Sequence, residues 1–240
     1  MAYSSIMKST ILDKTKLVNS VFSKVYKKYD LMNDIISFGI HRVWKEKFID
    51  WMNPAPESKL IDVASGTGDI AKLFLQRNNI NSTITCIEPN NGMLEEGKTN
   101  LKKFKNIKWI KAQAEELPVD DNIFDFYTIS YGIRNVTDIN KTLSEAFRVL
   151  KPGGRFMCLE FSKIDNEMLN FFYKQYSKTI PMIGKYFAGA SQPYEYLVKS
   201  IANFYNQNQL IELMNKNGFT KTEYRNLSNG VSAIHSGWKI

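Results

Sequence analysis

Apolar residues between Leu17 and Phe48 fall three or four positions apart: Leu17, Val21 and Val25, then Ile35, Ile36, Ile40, Trp44 and Phe48. That spacing predicts a helical leader over 16–51, with Asn33 and Gly39 as interruptions. Asn53-Pro54-Ala55-Pro56 ends it, because proline cannot continue a helix and biases its predecessor towards extended backbone.

Beyond the prolines the period changes. KLIDVAS (59–65), STITCIEPN (82–90), IKWIKA (107–112), FDFYTISYG (124–132) and GRFMCLEFS (154–162) read as strands. Helical-period segments interleave with them at 70–77, 92–103 and 139–150, the last capped by Thr137 or Asp138. Such alternation predicts a mainly parallel sheet with helices on both faces, a doubly wound, Rossmann-like α/β fold.

After Ser162 the rhythm breaks. Residues 163–205 hold ten aromatics with Pro181, Gly184, Gly189 and Pro193 among them, which reads as an insertion. A helix near 207–216 follows. The segments 220–227 and 231–239, separated by Ser228-Asn229-Gly230, then supply strands six and seven as a hairpin. At 240 residues and 43% hydrophobic, the chain suits one domain. Its parts are a helical cover (1–53), a cofactor-binding core (58–162), the insertion (163–205) and the terminal helix and hairpin (206–240).

Composition narrows the chemistry. The net charge of +8 favours anionic partners, whether nucleic acid, a phosphorylated substrate or a membrane surface. The basic residues are scattered in ones and twos, however, and the aromatic cluster is poor in arginine. No nucleic-acid partner is therefore expected. Cys86 and Cys158 lie in apolar runs and read as buried free thiols of a reducing compartment. Two histidines and no CxxC leave no metal site in view. With neither a signal-peptide core nor an apolar run of about 18 residues, the expectation is a cytoplasmic protein, at most peripheral at the inner face of the membrane.

Two stretches carry the candidate chemistry. GTGDIA (66–71) fits G-x-G-x-x-A, and Glu88 lies twenty residues past Gly68, which on spacing alone is a dinucleotide fingerprint. The acids argue otherwise. Asp62 closes the preceding strand and Asp69 follows Gly68, and two carboxylates would repel a pyrophosphate that a helix N-terminus would otherwise welcome. S-adenosylmethionine has no phosphate and brings a sulfonium and an amino group, for which acids are favourable. Glu88 suits ribose hydroxyls with either ligand, and glycines at 66 and 68 admit backbone close to it. An NAD-dependent oxidoreductase is the competing reading. The second stretch is YDLMNDIISFGIHRVW (29–44), dense in polar groups ahead of the first strand.

DVASGTGD, IEPNNGML, AQAEELPVDDNIFD, ISYGIRNVTD and RVLKPGGRFMCLEFS resemble the ubiquinone/menaquinone-biosynthesis C-methyltransferases of the UbiE/MenG type. Residues 29–44 match that family's other signature, Y-D-x-M-N-x-x-[LIVM]-S-x-x-x-H-x-x-W, at every fixed position, and the likeness runs from about Val18 to the closing GVSAIHSGWK. The resemblance implies a class I methyltransferase that uses S-adenosylmethionine to methylate a ring carbon of a polyprenyl hydroquinone. The acceptor would be demethylmenaquinol, a methoxy-polyprenyl-benzoquinol, or both; a different small phenol or a sterol is the alternative. It also implies Thr67, Glu88, Gln113, Ala114 and Ser130 as cofactor contacts, beside Asp62, Gly66 and Gly68. Glu88 and Gln113 depart from the family's usual shorter residues by one methylene each, which predicts a shifted cofactor pose.

For catalysis the resemblance points to Arg134, acting by charge on a phenol or through a water held by Asn135. The plainer role for Arg134 is an ion pair with Asp138. Tyr29 and Asp30 are a second choice, as donor and orienting acceptor near the hydroquinone, with residues 29–44 forming a cover over the acceptor pocket. His41 reads as a packed helix histidine and His235 as structural. The aromatic insertion either completes the core or walls a tunnel for an isoprenoid tail. A homodimer or a quinone-biosynthesis complex is compatible with this picture.

Overall fold

The computed structural model describes residues 34, 37, 39–77, 81–164, 167–188 and 191–240. Tyr29, Asp30 and the rest of the leader before Asp34 lie outside the described residues. Helix α1 (His41–Met52) is followed by β1 (Lys59–Val63), α2 (Asp69–Arg77), β2 (Thr83–Ile87), α3 (Asn91–Asn100) and β3 (Ile107–Ile110). Then come β4 (Phe124–Ser130), a 3-10 turn at Ile133–Asn135, α4 (Ile139–Val149) and β5 (Leu150–Phe161). Helices α5 (Glu167–Ala188), α6 (Gln192–Asn203) and α7 (Gln207–Lys216) precede the hairpin of β6 (Thr220–Leu227) and β7 (Ser232–Trp238).

The seven strands form one sheet in the order β3-β2-β1-β4-β5-β7-β6. The first five are parallel, and β7 runs antiparallel to both β5 and β6. The chain builds outwards from β1 to β3, then returns to place β4 on the other side of β1. Such a reversal opens a crevice at the carboxyl ends of the strands, between β1 and β4.

Successive strand residues serve opposite faces. Phe156 and Cys158 pack with α4 and α7 through Leu143, Ala146, Leu210 and Met214. Met157, Leu159 and Phe161 pack on the other face with Trp44, Phe48, Phe74 and Tyr194. Both cysteines are buried free thiols.

Strands β1 and β4 stop short of the predicted ends because Ala64 and Tyr131 adopt left-handed backbone, at φ 53° and 54°. β5 begins earlier than predicted, at Leu150, through a pairing with Phe124 that shifts register before Phe126. Asp138, not Thr137, caps α4, its carboxylate accepting from the Lys141 N–H at 3.0 Å. The insertion is helical. Pro181 lies inside α5, while Ile180, Tyr194 and Leu197 contribute to the core.

Candidate active site

A cavity of about 1070 Å³, counted with its open mouth, occupies the crevice at the carboxyl ends of β1, β2 and β4. Of the residues the sequence assigns to a cofactor, Asp62, Gly66, Thr67, Glu88, Gln113, Ala114 and Ser130 all line it, and Asn135 joins them. Gly68 does not. A Cβ on Gly68 would stand 2.6 Å from the Leu101 side chain and 3.3 Å from Trp109, so the packing of the loop also requires glycine here. Gly66 meets nothing within 4 Å; its glycine answers a φ of +56°.

Three polar features define the floor. Asp62, at the end of β1, accepts from the Thr128 hydroxyl at 2.7 Å through Oδ1, while its Oδ2 is buried without a hydrogen-bond partner. Burial pushes its pKa up to about 7, and the neighbouring Glu88 charge adds to the rise. Glu88, just past β2, accepts from the Gly66 N–H at 2.9 Å and the Asn90 N–H at 2.8 Å. Burial raises it to about 7 against those two bonds. Each of its oxygens keeps a further lone pair. The Ser130 hydroxyl is buried and unpartnered as well.

An unsatisfied buried acceptor costs roughly 1–3 kcal/mol. A ligand that brings N–H and O–H donors and positive charge would remove that cost at Asp62, so the donor set fits S-adenosylmethionine. Asp69 is not a bare carboxylate beside the loop, because Lys45 of α1 places Nζ 2.6 Å from its Oδ2. The case against a pyrophosphate therefore rests on Asp62, since Glu88 suits a ribose of either ligand.

The rim after β4 is built by Tyr131 to Thr137. Asn135 donates to the Tyr131 carbonyl at 3.4 Å and accepts from the Tyr196 hydroxyl of α6 at 3.0 Å. These two contacts set the orientation of its amide. Glu115 accepts from the backbone N–H groups of Thr137 and Asp138, at 2.5 and 3.2 Å, tying the loop after β3 to the same rim.

Arg134 turns away from the cavity. Its Nη1 lies 2.5 Å from Glu160 Oε1 and 2.7 Å from the Tyr131 carbonyl, and the guanidinium sits 5.5 Å from the Phe161 ring centre. The predicted partner Asp138 is instead the α4 cap, so that ion pair does not form. Residues 133–135 make a 3-10 turn and Asp138 starts another helix, so Arg134 and Asp138 never share a helical face. On the insertion, burial raises the pKa of Tyr173, to about 12, and of Tyr196, in both cases against the Arg134 charge.

The described part of the cover is structural in its details. His41 is buried, with Nε2 2.8 Å from Asp34 Oδ1, and its N–H donates to the Ser37 hydroxyl at 3.2 Å. Burial, then the Lys45 charge, lower its pKa. Trp44 packs on Phe161 and donates to the Ser228 hydroxyl at 3.1 Å. His235 lies 3.1 Å from the Gln207 carbonyl, and burial takes its pKa down to about 4, in keeping with a structural role.

Sequence reading missed Lys45, Glu115, Glu160 and Tyr196. Lys45 alone left a readable trace: it follows Trp44 on the apolar face of an amphipathic helix, at a position where a solvated lysine is out of place.

The chain matches the ubiE/COQ5 methyltransferase family over residues 9–239. Among its relatives, the ubiquinone/menaquinone biosynthesis C-methyltransferase UbiE of Rickettsia prowazekii (strain Madrid E) is 50% identical over 241 residues, covering 95% of this chain and 96% of its own. The protein of the same name from Brucella abortus (strain S19) is 47% identical over 234 residues, covering 95% and 87%. Among solved structures, a SAM-dependent methyltransferase of Thermotoga maritima, described as a possible histamine N-methyltransferase, superposes with a TM-score of 0.64 at 21% identity, covering 93% of this chain and all of its own. A Haemonchus contortus phosphoethanolamine N-methyltransferase 2, in complex with phosphomonomethylethanolamine and S-adenosylhomocysteine, gives 0.60 at 14% identity, covering 82% and 52%. At those identities the structural likeness establishes the fold.

Proposed function

Because the chain belongs to the ubiE/COQ5 methyltransferase family, we propose that it methylates a ring carbon of a polyprenyl hydroquinone in menaquinone or ubiquinone biosynthesis, acting on demethylmenaquinol, a methoxy-polyprenyl-benzoquinol, or both. The observation that carries this reading is 50% identity to a named UbiE over nearly the full length of both chains.

When bound, S-adenosylmethionine supplies a methyl group on a sulfonium. Glu88 would accept its ribose hydroxyls through the lone pairs that the Gly66 and Asn90 amides leave over. Asp62 Oδ2 and the Ser130 hydroxyl, both short of a partner, would meet its cationic end. Gln113 and Ala114 line the same wall beyond Glu88 and suit the adenine edge.

A ring carbon is a poor nucleophile until a phenolic proton, of pKa ~10, is drawn off. Asn135 is the group best supported as a holder of the acceptor hydroxyl or of the water that takes its proton, because it lines the cavity with its amide already oriented. Arg134 would act at one remove, through its charge and its grip on the Tyr131 carbonyl. Tyr29 and Asp30, which lie outside the described residues, are the second choice as donor and orienting acceptor near the hydroquinone.

No described helix is long and apolar enough to cross a membrane. A lipid-tailed substrate and a net charge of +8 support peripheral contact with an anionic leaflet, where each lysine near the surface adds ~1 kcal/mol of attraction. Equal co-sedimentation with anionic and neutral vesicles would remove that support.

The deciding experiment is incubation with methyl-labelled S-adenosylmethionine and reduced quinone precursors of both kinds, followed by product mass. A gain of one methyl on the ring is expected. Transfer to neither reduced acceptor would overturn the assignment.

A further inference from the structure

The cavity holds four carboxylates, of Asp62, Asp69, Glu88 and Glu115, and among the described residues lining it Lys45 is the one cation. Lys45 reaches it from outside the sheet. Its side chain is only 8% exposed, running inward from α1 to put Nζ 2.6 Å from Asp69 Oδ2 at the start of α2. An ammonium has three N–H donors, and Asp69 takes one of them.

The ligand assigned to this cavity ends in a zwitterion, an ammonium beside a carboxylate. The acids suit the ammonium and the sulfonium. They repel the carboxylate, which needs a cation in the same space. From this complementarity we infer that Lys45 binds the α-carboxylate of the methyl donor, while Asp69, held 2.6 Å from the same ammonium, faces the donor's amino group. The pair thus mirrors the zwitterion, cation to carboxylate and carboxylate to cation. It also gives the cover a part in cofactor binding, which the glycine loop and strand ends alone would leave to the core. The inference rests on S-adenosylmethionine being the ligand. The competing role for Lys45 is a tether between α1 and α2, indifferent to what the cavity contains.

Titration calorimetry on the full chain with S-adenosylmethionine and with its decarboxylated form, which keeps adenosine, sulfonium and amine, separates the two roles. The wild-type protein should bind the carboxylated ligand at least about tenfold more tightly, on the scale of a charge-assisted hydrogen bond. Lys45→Gln should weaken that ligand about tenfold and leave the decarboxylated one within about twofold, and Lys45→Arg should restore most of the difference. Equal wild-type affinity for the two ligands, a comparison that needs no variant, would overturn the inference. So would a parallel loss for both in Lys45→Gln. Wild-type protein that binds neither would instead overturn the cofactor reading, and this role with it.

Discussion

Glu160 and Arg134 form an ion pair inside the protein, 2.5 Å from oxygen to nitrogen, with each side chain 1% exposed. Glu160 is the penultimate residue of β5 and Arg134 follows β4, so the pair fastens two neighbouring strand ends beside the cavity rim. Burial raises the Glu160 pKa even against the Arg134 charge, a sign that desolvation is heavy there. Removing one partner strands the other. Glu160→Ala should therefore lower unfolding free energy by about 3–5 kcal/mol in urea titration, whereas a Glu160→Met/Arg134→Met double variant should lose less. A single variant that costs no more than the double would mean that the pair is solvated.

Asp62 and Glu88 give the cofactor site a pH dependence. Both acids stand at about 7 in the folded protein, above their ordinary values of 3.8 and 4.5. At these two groups the folded chain holds more protons than the unfolded chain between about pH 4 and 7, so their contribution to stability falls as pH rises through that window. Ligand binding has the opposite sign. In the roles proposed for them, the cationic donor and the ribose hydroxyls both favour the ionised acids, so a protonated site should release protons on binding. Affinity for S-adenosylmethionine should rise from pH 6 to pH 8 and level off above. Calorimetry in buffers of different ionisation enthalpy should detect the released proton, and Asp62→Asn should reduce it.

Tyr196→Phe should test the rim. The substitution keeps the ring and removes the hydroxyl that donates to Asn135 at 3.0 Å. Losing a bond worth ~1 kcal/mol would free the amide to turn. Turnover should drop about fivefold, with S-adenosylhomocysteine affinity unchanged, because no cofactor contact is touched. A matched fall in both quantities would place Tyr196 in general packing instead.

Gly68→Ala should destabilise more than Gly153→Ala. Both glycines have left-handed backbone, at φ +91° and +80°, and each substitution carries that penalty of roughly 1–2 kcal/mol. At Gly153 nothing lies within 4 Å of the added carbon, but at Gly68 it meets Leu101 at 2.6 Å. Overpacking there should cost a further 1–3 kcal/mol or so. Thermal unfolding of the two variants side by side measures the difference.

Most of the sheet could be read from β-branched and apolar runs, since Leu60, Ile61 and Val63, or Phe156 to Leu159, are buried on one face or the other and need no distant information to be recognised as strand. Strand ends were less legible. They are set by the left-handed turns at Ala64 and Tyr131, residues that give no hint of it, where the two loops approach so closely that a Cβ on Gly132 would touch the Ala64 side chain at 2.6 Å. Glycine spacing marked the loop beside the cavity but not which of its glycines lines it. The partners of the site were hidden for another reason: Glu160 meets Arg134 across 26 residues, Tyr196 meets Asn135 across 61 and Lys45 meets Asp69 across 24. Spacing of four made Arg134 and Asp138 look paired, and only the break between a 3-10 turn and the next helix shows why they are not.

The position of β7 has a consequence for how the chain folds. β7 follows β6 in sequence yet lies between it and β5, and β6 has no other neighbour in the sheet. β6 therefore cannot add to a growing edge by itself. The pairing of β6 with β7 is local, across the three-residue turn at Ser228–Gly230, and local pairings close with less entropy loss than distant ones. Contact order therefore predicts that the hairpin closes before β7 pairs along β5, an order that pulse-labelled hydrogen exchange during refolding would test. Ser228, in the turn of that hairpin, accepts from the Trp44 indole. The docked hairpin thus adds a tie, through Trp44, to helix α1, which carries Lys45 and part of the cavity wall.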